Sequence, residues 1–147
     1  MGLIASADQE KLRDTFAVMT RPVRLLFFTQ TLGCETCPQT RQILDELPVL
    51  SDKIAIEEIN LVLDGDKAAQ YGVDRAPSIA VVGQDEAGQE RDSRIRFVGT
   101  PAGYEFMSLV QAVVLVGGGE SHLTEANRQR IAAVDRPVVM QVFTTPT

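Results

Sequence analysis

Cys34-Glu35-Thr36-Cys37 is the only cysteine pair in the chain, and it lies where an apolar run, Val23 to Thr29 (VRLLFFT), hands over to a helix-forming stretch. Two thiols separated by two residues, the first at the expected start of a helix, make the smallest two-electron thiol–disulfide device a chain can carry. Unpaired N–H groups and aligned peptide dipoles at a helix N-terminus favour negative charge, so Cys34 is expected to ionise below the free-thiol value of about 8.5. Cys37, one turn on, can close the ring after Cys34 has formed a mixed disulfide. Two other uses of the pair are weaker. Structural zinc needs four ligands, and with one distant histidine, His122, a second chain would have to complete the site. A purely structural bridge is out of place in a chain that opens with no secretory signal.

No charged n-region and apolar h-region open the sequence, so a cytoplasmic location is expected. The net charge is −6 and no basic cluster is present, which argues against nucleic acid or an anionic membrane surface as partner. The longest uninterrupted apolar run, Ala112 to Val116, is far too short to span a bilayer.

In chain order, Asp8 is expected to cap a first helix reaching about Met19, with Leu12, Phe16 and Met19 on one face. Val23 to Thr29 is apolar on both faces, hence a central strand. The cysteine helix, with Pro38 in its first turn, carries Cys37, Thr40, Leu44 and Leu47 on one inward stripe and ends at Pro48. Cys37 should therefore be buried and Cys34 accessible. Ile54 to Leu63 reads as a second strand, and Asp64-Gly65-Asp66 starts a short helix. Ser78 to Val82 and Arg94 to Val98 form a hairpin, and a helix from Pro101 to Val116 is halted by Gly117-Gly118-Gly119. The result is a helix followed by β-α-β-α-β-β-α, a three-layer α/β fold with a mixed four-stranded sheet.

The tail repeats the front. At an offset of 115 residues, eight of twenty positions are identical, with Glu10, Arg13, Ala17, Arg21, Pro22, Val23, Phe28 and Thr29 matching Glu125, Arg128, Ala132, Arg136, Pro137, Val138, Phe143 and Thr144. Residues 1–119 are read as one unit with an N-terminal helix, and 120–147 as the helix and first strand of a truncated second unit. The final helix of the first unit is apolar around most of its circumference, and the terminal VVMQVF needs a strand partner. A homodimer through that C-terminal strand is one expectation.

The segments FFTQTLGCETC (27–37), YGVDRAPSIAVV (71–82), FVGTPAGYEF (97–106) and RPVVMQVFTTPT (136–147) carry a resemblance. The chain resembles the N-terminal thioredoxin-fold unit of the glutaredoxin-like, two-unit protein disulfide oxidoreductases of archaea and bacteria. It is also similar to the N-terminal domain of the alkyl hydroperoxide reductase flavoprotein. The resemblance implies a thioredoxin/glutaredoxin-like fold and a thiol–disulfide oxidoreductase acting on protein disulfides and dithiols. It implies Cys34 as attacking thiol, Cys37 as resolving thiol, and no cofactor beyond that dithiol. A cis Ala76-Pro77 peptide would lie opposite the sulfurs, with the Ala76 backbone, Glu35 and Thr36 as substrate-binding candidates. A flavoprotein disulfide reductase is a candidate partner, and an electron-relay or docking module for an adjacent redox domain is the alternative function.

One departure matters. Thioredoxins carry a buried aspartate on the strand before the cysteine loop, where this chain has Leu25, Leu26, Phe27 and Phe28. Glu58 is the candidate substitute: alternation puts it on the face of Ile54 and Ile56, where a carboxylate near Cys37 can accept that thiol's proton, while the plainer reading is a solvated strand-end acid. Glu57, on the opposite face, is expected to be solvated. Glu35, between the cysteines, opposes the helix-end effect and is expected to hold the Cys34 pKa at about 6 to 8, giving a more reducing couple.

Overall fold

The computed structural model describes residues 2–145. Its centre is β1 (Val23–Thr29), in which Leu25, Leu26, Phe27 and Phe28 are all buried because the strand is covered on both faces. β1 runs parallel to β2 (Ile54–Asn60) and antiparallel to β3 (Ser78–Gln84), which pairs antiparallel with β4 (Glu90–Val98); the sheet order is β2-β1-β3-β4. Five helices flank or join these strands: α1 (Ser6–Phe16), α2 (Cys37–Asp45), α3 (Leu47–Leu50), α4 (Gly65–Gln70) and α5 (Tyr104–Val116). Leu25, Phe27, Ile79 and Val81 face a core built with α1, α2, α3 and α5, through Phe16, Leu44, Leu47, Leu109 and Val113. Leu26, Phe28, Ala80 and Val82 face the other way, onto Ile59, Tyr71 and Ala68 of α4. The mixed four-stranded, three-layer reading of the sequence holds.

Several boundaries move for local reasons. Asp8 lies inside the first turn of α1 and does not cap it; Ala5 occupies that position without a side-chain hydrogen bond. Pro48 does not end the cysteine helix but sits in the first turn of α3, a position that needs no N–H donor. β2 stops at Asn60 rather than Leu63 because the Asn60 side-chain oxygen accepts the N–H groups of Val62 and Leu63, turning the chain. β4 begins at Glu90 rather than Arg94, since Asp85 closes a tight turn by accepting from the N–H groups of Ala87 and Gln89. α5 starts at Tyr104, after Gly103, whose φ of 61° and ψ of −133° favour a residue without Cβ. One side of α5 is buried through Leu109, Val110 and Val113, while Tyr104 and Met107 are exposed.

The tail differs most. α6 (Glu125–Ala132) forms, with Thr124 accepting from the N–H of Asn127 as its cap, but it has no buried residue. The expected strand over 138–144 does not form, and Val138, Val139, Met140, Val142 and Phe143 are all exposed. It joins neither edge of the four-stranded sheet, and an isolated strand without a partner is not stable in water.

β4 contains a bulge that anchors an ion pair. Its register with β3 jumps from Ala80↔Arg96 to Val82↔Asp92, with Arg94 in left-handed backbone at φ 66°. Arg96 grips Asp92 with two hydrogen bonds of 2.6 and 2.8 Å and lies 5.6 Å from the Tyr71 ring centroid. The Arg96 hydrogen bond holds the Asp92 carboxyl below its usual range, against the opposing pull of burial. A depressed folded pKa stabilises the fold fully above the unfolded value, and that contribution disappears as pH falls through the folded value. Asp92→Asn is expected to cost on the order of 1 kcal/mol at neutral pH, a figure discounted for partial exposure. Denaturant titrations should show the gap to wild type closing below about pH 4. A gap that persists in acid would assign the loss to packing instead.

Candidate active site

β1 ends at Thr29, and Gln30 to Gly33 carry the chain to the cysteines, with Gly33 in the left-handed region at φ 75°. Cys34 and Cys37 are joined in a disulfide with Cα atoms 5.5 Å apart. Cys37 is the first residue of α2, 4 % exposed and packed into the larger core, whereas Cys34 is half-buried at its margin. One sulfur is thus sequestered and the other reachable, as the inward stripe requires. The helix starts at Cys37 rather than Cys34, so Cys34 occupies the turn ahead of it. Thr36 already has helical backbone angles at the cap position.

A second segment reaches this end of the sheet. Ser78 pairs with Phe28 near the carboxyl end of β1, which brings the preceding Ala76-Pro77 turn to the same pole. That peptide is cis, and Ala76 borders the same core as Cys34. The Ser78 hydroxyl donates to the Arg75 carbonyl at 2.7 Å, and the Gly99 N–H donates to the Pro77 carbonyl at 2.8 Å. Arg75 also hydrogen-bonds Asp74, holding that carboxyl below its usual range. Glu35 and Thr36 are exposed beside the cysteines.

Glu58 faces the α2 side of the sheet, level with Phe27, as alternation required, and takes the solvated form of a strand-end acid. Its side chain is 44 % exposed and pairs with Arg41 of α2 at 3.2 Å. β2 is an edge strand, so a long side chain near its end reaches solvent without leaving its face. Glu57, expected in solvent, is the more buried of the two. It pairs with Arg24 at 3.0 Å and with Lys67.

A polar pair went unread in the sequence. Thr40 is fully buried on the α2 stripe, and its Oγ1 lies 2.8 Å from that of Thr100. A polar residue on an otherwise apolar stripe signals that a partner must exist, but not which one.

A mixed sheet with a Cys-x-x-Cys disulfide at its pole, one sulfur accessible and one buried, defines a thiol–disulfide exchange protein. Comparison with known proteins gives the family. A probable thioredoxin of Methanothermobacter thermautotrophicus is 32 % identical over 78 residues, covering 52 % of this chain and 80 % of that protein. The chain belongs to the thioredoxin family and is a thiol–disulfide oxidoreductase. No protein-family model matches it. Among solved structures, the N-terminal domain of alkyl hydroperoxide reductase AhpF from Enterococcus faecalis superposes with a TM-score of 0.76 at 32 % identity, over 90 % of this chain and 62 % of that one. A protein disulfide oxidoreductase from Aeropyrum pernix gives 0.72 at 25 %, over 88 % and 54 %. The chain thus spans between half and two thirds of those two structures. Among the described residues, no helix is long and apolar enough to cross a membrane.

Proposed function

We propose that the chain reduces protein disulfides, with Cys34 as nucleophile and Cys37 as resolving thiol. The supporting observation is the division of the pair, Cys34 half-buried at the core's margin and Cys37 inside the core. The Cys34 thiolate attacks a substrate sulfur, forming a mixed disulfide and releasing one substrate thiolate. Cys37 then loses its proton and attacks the Cys34 sulfur, expelling the second substrate thiolate, which takes up a proton. The first substrate thiolate takes up the proton that Cys34 released to solvent on ionising, so the substrate gains two electrons and two protons, and the chain is left as the Cys34–Cys37 disulfide that the structure holds. The dithiol is the only redox group this cycle uses, and a reducing cytoplasm suits its turnover.

Substrate segments would lie extended along the Ala76 backbone, beside Glu35 and Thr36, as a strand-like addition. Leu32, Val62 and Leu63 are exposed on the loops that follow β1 and β2 and supply an apolar rim at the same pole. Glu58, held by Arg41, is not needed to move a proton in this scheme. Reduction of insulin by the dithiol form of this chain tests the reading. Absence of insulin reduction with intact thiols would overturn it.

The likeness to a domain of a peroxide reductase favours a second reading, in which the dithiol relays electrons from a flavoprotein disulfide reductase to one partner. A Cys37→Ser chain that captures a reductase but not insulin would select the relay. We also propose that 120–147 begins a second unit of the same kind. Positions that are buried in the first copy (Phe16, Met19, Val23, Phe28) correspond to exposed ones in the second (Ile131, Val134, Val138, Phe143), as a core element without its core would show. Pairing of two tails in a homodimer would cover the same residues, and a strictly monomeric sedimentation profile would remove that option.

A further inference from the structure

The two halves of the site come from separate chain segments, and something must hold them in register. Thr40 Oγ1 donates to the Thr36 carbonyl at 2.9 Å, and the same carbonyl accepts the Thr40 N–H at 3.0 Å. A hydroxyl has one proton. The 2.8 Å contact between Thr40 and Thr100 is therefore donated by Thr100, giving a directed chain from Thr100 to Thr40 to the carbonyl inside the Cys-Glu-Thr-Cys turn. Thr100 follows Gly99, whose N–H holds the Pro77 carbonyl. The loop after β4 thus reaches the cysteine turn with one residue, through Thr40 of α2, and the Ala76-Pro77 turn directly with the one before it.

We propose that Thr40 and Thr100 are positioning residues that fix the distance between Cys34 and the Ala76 backbone, so that a protein segment can pair with one while its sulfur meets the other. Burial alone does not explain the pair, because two apolar side chains of the same shape fill such a space at little or no cost. The inference rests on the reading of Cys34 as nucleophile toward protein disulfides. It predicts a separation by substrate. A protein disulfide uses both halves of the site, while a small disulfide needs only the exposed sulfur.

The test compares insulin with dithionitrobenzoate as oxidants of the reduced chain, in wild type, Thr40→Val, Thr100→Val, the double variant and Thr40→Ser. Each valine is expected to slow insulin reduction about tenfold, as small misplacements of reacting groups do, and to change the small-disulfide rate by less than about twofold. The double variant should be no slower than either single, since the hydroxyls act as one unit. Serine at position 40 should restore the wild-type rate. Equal losses toward both oxidants, or none toward either, would overturn the proposal. If Thr40→Val unfolds, Thr100→Val, on a less buried loop, decides the matter by the same comparison. A wild-type chain inactive toward insulin yet reactive with dithionitrobenzoate would instead overturn the substrate reading beneath it.

Discussion

Replacing Cys34 by serine is expected to lower insulin reduction by on the order of 10³-fold or more, because a serine hydroxyl neither ionises near neutral pH nor attacks sulfur. Cys37→Ser should behave differently. Attack by Cys34 remains, resolution is lost, and the chain accumulates as a mixed disulfide seen on non-reducing gels and released by dithiothreitol. The asymmetry follows from burial: Cys37, 4 % exposed, cannot meet a protein substrate, whereas Cys34 can. Unfolding does not explain the loss. The bridge closes a loop of only four residues, so its removal costs about 2 kcal/mol at most through the unfolded chain. Equal trapping by Cys34→Ser and Cys37→Ser would mean that both sulfurs reach substrate, and the assignment of roles would fail.

Much of this was legible in the residues, and the exceptions have causes. VRLLFFT could only be a central strand, since no edge strand buries four consecutive large side chains. The spacing of Cys37, Thr40 and Leu44 fixed which sulfur turns inward. Periodicity gave the face of Glu58 but not its exposure, because a face says nothing of how near a residue lies to the sheet's edge. For Glu57 the missing knowledge was the approach of Lys67 and Arg24 from other segments. α2 starts three residues beyond Cys34 because Glu35 and Thr36 form a turn ahead of it, although Thr36 already has helical angles. The link between Thr40 and Thr100 spans 60 positions, a distance no local pattern carries.

A second large effect carries its own control. Phe28 and Phe143 match at the offset of 115 residues, each followed by threonine, and have opposite surroundings. Phe28 is fully buried, its ring 6.2 Å from that of Tyr71 and its neighbours Leu26, Ile59, Ala68 and Val82 closing around it. Phe143 is 90 % exposed. Phe28→Ala removes an aromatic ring from a packed core and is expected to destabilise by about 3–5 kcal/mol, through lost transfer energy and the cavity left behind. For a chain of this length that lowers Tm by roughly 10 to 16 °C. Phe143→Ala should stay within about 0.5 kcal/mol of wild type, the ordinary range for a surface change. Thermal denaturation followed by far-ultraviolet circular dichroism at two protein concentrations reads both. A loss above about 2 kcal/mol for Phe143→Ala would show that the tail is covered in solution. If that loss grew with concentration, the cover would be a second copy, because only association makes apparent stability depend on protein concentration.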